Sequence, residues 1–197
     1  MAKIAVVIGS VREGARVSEP IARWVAKSFA GKAEAEVLDL KDYPMSFLDE
    51  PGAPPRYNPA RHPKPAAQKW IDKVVQFDGY VLVTPEYNRS TSAVLKNAID
   101  HIDHQMDDKP VAVIGHGSSG GAQAVATLRM VLPGVGAVVI PTALFLQNSV
   151  AEKVDAGGTL DAELAKEPYG PQAQLDGQID SLLWYADALK TAREKNT

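Results

Sequence analysis

Ile4-Ala5-Val6-Val7-Ile8-Gly9-Ser10-Val11-Arg12-Glu13-Gly14-Ala15-Arg16-Val17-Ser18-Glu19-Pro20-Ile21 carries the first and most telling signal in the chain. Five consecutive apolar residues suit a strand covered on both faces, since a strand with one wet face alternates instead. A polar, glycine-bearing turn follows. Ile21, Trp24, Val25 and Phe29 then recur at helical spacing and make one apolar stripe. Strand, turn and helix in that order form half of a crossover unit, because a parallel neighbour needs a helix to return the chain.

The same alternation continues outward. Short β-rich runs occupy 35–40, 79–83, 111–114 and 137–140. Between and after them, helical stripes fall on Ala67, Trp70, Ile71, Val74 and Val75, then on Val94, Leu95, Ala98, Ile99 and Ile102. Two more fall on Ala122, Val125, Leu128, Val131 and Leu132, and on Leu175, Ile179, Leu182, Leu183, Ala186 and Leu189. Five strands alternating with five helices predict an α/β fold, a doubly wound parallel sheet with helices on both faces. The 35–40 run alternates more than the others, which suits an edge. Residues 42–65 hold seven of the 14 prolines and no periodicity, so they predict a surface loop over one end of the sheet. Residues 142–170 predict a second long excursion, and loops this long are usually functional walls or partner contacts. Neither marks a boundary, so 1–197 is expected to be one domain.

Composition narrows the chemistry. The chain has no cysteine, which removes disulfides, thiolate nucleophiles and Cys-ligated metals. Its 21 basic and 24 acidic residues give a net charge of −3 without a clustered basic run, which argues against nucleic acid. No apolar stretch approaches a membrane span and no signal segment is visible, so a cytoplasmic protein is expected.

In an open α/β sheet, ligands bind beyond the carboxyl ends of the strands. Three turns there are informative. Gly9 to Ser18 offers the Ser10 and Ser18 hydroxyls, the Arg12 and Arg16 guanidiniums and the free N–H groups of a helix start, a set suited to a phosphate dianion. It lacks both the Walker Gly-Lys-Ser/Thr and the G-x-G-x-x-G dinucleotide pattern. The plainer reading makes Ser18 a helix cap, Pro20 a first-turn proline and the arginines solvated. Thr84-Pro85-Glu86-Tyr87-Asn88-Arg89-Ser90 presents an aromatic face and amides, which suits a flat heterocycle, or else is a turn with Ser90 or Ser92 starting a helix. Gly115-His116-Gly117-Ser118-Ser119-Gly120-Gly121 permits close backbone approach to a ligand, or simply a tight turn.

Taken together these turns resemble the NAD(P)H-dependent FMN reductases of the flavodoxin-like superfamily, whose members reduce quinones, azo compounds and chromate. The matching pieces are Gly9-Ser10-Val11-Arg12 with Ser18, Pro85-Glu86-Tyr87-Asn88 followed by Leu95-Lys96-Asn97-Ala98-Ile99-Asp100, Gly117 to Gly121, and Val154 to Asp161. The likeness spans about residues 3–190. It implies a five-stranded sheet in order 2-1-3-4-5 with FMN at the switch point. It places the FMN phosphate on Ser10, Arg12 and Ser18, with Arg16 and the Val17 amide nearby. The ring and ribityl chain go against Pro85, Glu86, Tyr87 and Asn88, and His116, Gly117, Ser118 and Ser119 close the pyrimidine side. Arg89 and Ser92 depart from the commonest pattern, and Glu13 adds a negative charge beside the phosphate.

The implied chemistry is hydride transfer from NADPH or NADH to the flavin N5 and then to a small-molecule acceptor: a quinone, azo compound, metal oxyanion or free flavin. No protein acid or base is required at its centre, so no catalytic residue is assigned. Donor and acceptor sharing one flavin face predicts ping-pong kinetics. Arg89 is open to two readings: a ligand-binding cation, for the 2′-phosphate of NADPH or for a neighbouring subunit's ligand, or a solvated residue. His101 and His104 share a helix face but lack a third ligand, so no metal is assigned. Trp24, Trp70 and Trp184 are read as core or interface packing. The resemblance also implies a homodimer or homotetramer. Two competing readings stand beside this one. A flavodoxin-type electron carrier without its own NAD(P)H reaction tends to be more acidic, and a nucleotide-binding regulator would share only the fold.

Overall fold

The structure is a computed structural model that describes residues 1–14 and 16–195. Five parallel strands, β1 (Lys3–Ile8), β2 (Glu34–Asp39), β3 (Gly79–Pro85), β4 (Pro110–Gly117) and β5 (Val138–Gln147), pair in the order β2-β1-β3-β4-β5. Around them lie α1 (Ser18–Ser28), α2 (Pro65–Val74), α3 (Ala93–Asp100), α4 (Ala122–Val131), the short α5 (Asn148–Ala151) and α6 (Ala162–Lys166), and α7 (Pro171–Lys195). The order reverses between β1 and β3, which opens a crevice at their carboxyl ends.

Side chains along each central strand alternate between two cores, so a continuous apolar run is what the sheet requires. Ile4, Val6, Ile8, Val81, Val83, Ala112 and Ile114 pack under α1 and α7. Ala5, Val7, Tyr80, Leu82, Val111 and Val113 face α2, α3 and α4. The expected stripes meet them: Ile21, Trp24 and Val25 on α1, and Trp70 and Val74 on α2. Trp24 donates its ring N–H to Gln172 and Trp70 to the Ala98 carbonyl. Trp184 differs. It is 66% exposed and stacks edge-on against its neighbour Tyr185, because its position on α7 faces away from the Leu175–Ile179–Leu182 stripe.

β5 runs well past the expected end at residue 140. Val111 pairs with Val139 but Val113 pairs with Ala143, so β5 bulges between them and Pro141 sits in the bulge. A proline reads as a stop in sequence, yet a bulge on an edge strand needs no N–H there. The buried Gln178 of α7 repairs the break, its side-chain N–H group donating to the Val113 and Thr142 carbonyls at 3.1 and 3.2 Å.

The 42–65 segment begins beside the turn after β1, where Tyr43, Pro44, Met45 and Ser46 share a pocket with Val11 and Glu13. It then straps α3. Asn97 donates to the Met45 and Ser46 carbonyls, and Arg61 pairs with Glu50 and bonds His101. His101 Nε2 meets the Ser46 carbonyl, so Nδ1 is the acceptor for Arg61. His104 bonds Asp107. Both histidines therefore hold chain segments together. No helix among the described residues is long and apolar enough to cross a membrane.

Candidate functional site

A cavity of about 490 Å³ opens at the switch point, within the range of roughly 300–1,000 Å³ usual for small-molecule sites. Its walls come from the turns after β1, β3 and β4: Ser10, Arg12, Arg16, Val17 and Ser18, then Pro85, Glu86 and Tyr87, then His116, Gly117 and Ser118. Eleven of the thirteen residues expected from the sequence thus converge. Asn88 and Ser119 do not line it. Asn88 and Arg89 form the tip of a turn closed by Tyr87 and Ser90, both with positive φ and both exposed. Ser119 is exposed and donates to Glu86 Oε1 at 3.1 Å.

The two arginines have different duties. Arg16 is buried, with its guanidinium on Asp39 at 2.6 and 2.8 Å, on Glu19 at 2.7 Å and on the Ser10 carbonyl at 2.9 Å. Those partners, Asp39 first, raise its pKa above the ordinary arginine range, and Arg23 and Arg16 hold Glu19 down to about 2. Burial would raise the Asp39 carboxyl, but Arg16 outweighs it and the net direction is down. Arg16 therefore braces the first turn with its charge already neutralised. Its Nε is buried without a partner. The exposed guanidinium of Arg12 has no hydrogen-bond or ion-pair partner among the described residues, and it is the open cation at the cavity.

Ser18 is not the cap of α1. Val17 stands at that position and gives no side-chain cap, which leaves the first N–H groups of the helix uncommitted to a side chain. Ser18 Oγ instead meets His116 Nε2 at 2.7 Å, so this ring turns toward the first turn rather than along the glycine loop. Burial pushes His116 down to about 4, leaving it neutral near pH 7. Ser10 Oγ lies 3.4 Å from the Tyr87 hydroxyl.

Glu86 joins the turns after β3 and β4. Its N–H donates to the His116 carbonyl and its Oε2 accepts from the Gln123 N–H at the start of α4. The glycine loop closes so tightly that a Cβ on Gly121 would lie 2.4 Å from the His116 nitrogen, and φ there is +77°. Ser92 caps α3 through Leu95 N–H and donates to the Gly9 carbonyl at 2.5 Å, fixing the first turn against α3.

Two wall residues were not expected, Asn148 and Glu152. Asn148 opens α5 and Glu152 caps its end, four residues apart on one side of a single turn. A one-turn helix inside an aperiodic stretch leaves no periodic signal. The following hairpin, bridged from Val154 to Leu160, holds this wall against α1, where Gly158 approaches Arg23 and Trp24 too closely for any side chain.

The model of the NADPH-dependent FMN reductases matches residues 2–151. The chain belongs to that family. It is an oxidoreductase whose cofactor and substrate are FMN and a reduced nicotinamide nucleotide. Among relatives of this FMN reductase, an NAD(P)H-dependent FMN reductase of Schizosaccharomyces pombe is 35% identical over 185 residues, covering 88% of this chain and 90% of that one. An FMN-dependent NADPH-azoreductase of Staphylococcus haemolyticus is 29% identical over 157 residues, 77% of this chain and 80% of its own. Among solved structures, the flavoenzyme NAD(P)H:(acceptor) oxidoreductase FerB of Paracoccus denitrificans superposes with a TM-score of 0.73 at 27% identity, covering 95% of this chain and 98% of that one.

Proposed function

We propose that the 490 Å³ cavity is the FMN site of an NAD(P)H oxidoreductase that passes hydride to a small acceptor. One observation carries the placement: two serine hydroxyls, the open Arg12 cation and an uncapped helix start meet in one cavity. Each can donate, so the set fits a phosphate dianion.

In this reading Ser10, Arg12 and Ser18 hold the phosphate with the Val17 amide, and Pro85, Tyr87, Gly117 and Ser118 flank the flavin ring. Bound flavin supplies the two-electron carrier on which hydride arrives and leaves. Arg16 keeps the first turn in shape, and Glu86 ties the second turn to the third. No side chain has to give or take a proton at the reacting centre. Donor and acceptor entering by one mouth support ping-pong turnover. The acceptor class of quinone, azo compound, metal oxyanion or free flavin is supported by the azoreductase and acceptor oxidoreductase among the relatives. A cytoplasmic homodimer or homotetramer completes the reading, with the exposed Met130 and Trp184 consistent with a subunit contact.

The test is a flavin titration followed by stopped-flow reduction with NADPH and with NADH, then steady-state turnover with a quinone. FMN binding with rapid reduction and parallel double-reciprocal lines are expected. Binding without reduction makes the protein an electron carrier. No binding at all removes the site.

A further inference from the structure

His116 lies on the cavity wall with its ring buried, 2.7 Å from Ser18 Oγ through Nε2. A neutral imidazole has one N–H, and burial favours that neutral form. The position of this single proton decides what Ser18 can do. With the proton on Nδ1, the Ser18 hydroxyl must donate to Nε2, and the serine shows the cavity only lone pairs. With the proton on Nε2, the ring donates to Ser18 Oγ and the hydroxyl proton is released. No other group among the described residues bonds Ser18 Oγ, so His116 alone among them competes for that proton.

We propose that His116 is a positioning residue for the flavin phosphate: as the Nε2–H tautomer it donates to Ser18 Oγ and turns the Ser18 hydroxyl proton onto a phosphate oxygen. This rests on the FMN reading above and deepens it. His116 itself does not touch the phosphate. The sequence reading put His116 beside the pyrimidine ring, and the bond to Ser18 reassigns its side chain to the opposite end of the ligand.

A pH signature follows. The charged or titratable groups around this cavity are Arg12 and Arg16 from the first turn, Glu86 and Tyr87 from the second, and Glu152 beside α5. Arg16 is matched by Asp39 and Glu19, and Glu86 is engaged by Ser119 and Gln123. An arriving phosphate is therefore the main new charge that the ring meets, and a nearby anion raises the proton affinity of imidazole. Binding then takes up protons at His116 increasingly as pH falls from about 7 to about 5.

The test is calorimetric titration of the flavin-stripped full chain with FMN and with riboflavin, in buffers of different ionisation enthalpy. For FMN, His116→Phe and Ser18→Ala are each expected to weaken binding about tenfold, with their double variant no worse than either. Riboflavin affinity changes less than twofold, and His116→Gln, which keeps an N–H donor, recovers most of the loss. Wild type takes up more protons with FMN at low pH than His116→Gln does, the proton of the phosphate itself being common to both. Equal loss of FMN and riboflavin in His116→Phe, or identical proton uptake in wild type and His116→Gln, overturns the assignment. Wild-type protein that binds riboflavin as tightly as FMN overturns instead the placement of the phosphate in this cavity.

Discussion

The two ends of the sheet are both rich in charge, yet they are built in opposite ways. At the amino end, Asp78 accepts the Lys3 N–H at 2.9 Å and the Lys190 ammonium at 3.1 Å, with Arg193 at 3.9 Å. Lys109 donates to the Val75 carbonyl, and burial together with Arg193 lowers it to about 8. These groups satisfy one another. At the carboxyl end, Arg16 is equally committed, but Arg12, Ser18, Ser118 and the start of α1 keep bonding capacity in reserve. Charge density alone does not mark a site; uncommitted donors around a cavity do.

The contrast is open to attack in order of effect. Arg16→Ala leaves Asp39 without its cation and Glu19 with Arg23 alone, and breaking a buried pair this way costs about 3–5 kcal/mol. A fall in melting temperature of roughly 6–20 °C is expected by calorimetry. An unchanged melting point means that Arg16 is as uncommitted as Arg12, and the contrast fails.

Acid comes next. His116 has its folded-state pKa depressed from 6.5 to about 4. The unfolded chain therefore binds the extra proton first, so this contribution is complete above about pH 6.5 and is lost as pH falls toward 4. The loss amounts to at most about 3 kcal/mol at the lower limit. Urea unfolding of the flavin-free protein at pH 7 and pH 4.5 measures it, and His116→Gln is expected to flatten the difference.

Asp78→Asn probes the closed end. Its carboxyl is held below the usual range by the Lys3 N–H and Lys190 in spite of burial. A loss of about 1.5–3 kcal/mol is expected, with the FMN dissociation constant unchanged within about twofold. A large loss of FMN affinity here would couple the two ends and break the comparison. Arg12→Ala is the mirror experiment. FMN binding weakens about tenfold while the flavin-free melting point stays put, because no internal partner is orphaned.

The smallest effect belongs to the turn at Asn88–Arg89. Glycine accepts positive φ without the strain that Arg89 bears at +66°, so Arg89→Gly is expected to stabilise by up to about 1 kcal/mol. The same variant separates the two readings of Arg89. If the guanidinium reads the 2′-phosphate, the ratio of kcat/KM for NADPH over NADH falls; a solvated arginine leaves it unchanged.

How much of this was legible in the sequence depended on local pattern. β1, β3 and β4 announced themselves because strands covered on both faces must be apolar at every position. β5 was cut short at Pro141, since a bulge repaired from α7 by Gln178 depends on residues 37 positions away. The phosphate-type donors were visible as residue types after a strand. Their division of labour was not, because Arg12 and Arg16 look alike until Asp39 at the end of β2 is brought beside one of them. Asn88 and Ser119 were carried over with the family likeness, and the structure sets both on exposed turns outside the cavity lining. Asn148 and Glu152 needed the path of the chain after β5.

Gly158 offers no functional group and lies outside the cavity lining, yet a Cβ there would sit 2.5 Å from that of Arg23. Any larger residue must lever the hairpin off its seat on the first helix, and the acidic wall behind the ligand swings with it. A random screen for inactive clones is therefore expected to return this position alongside true contact residues. The way to recognise it is a lowered melting temperature that no smaller side chain at position 23 restores, because the clash is with the Cβ and backbone of Arg23 and the nitrogen of Trp24.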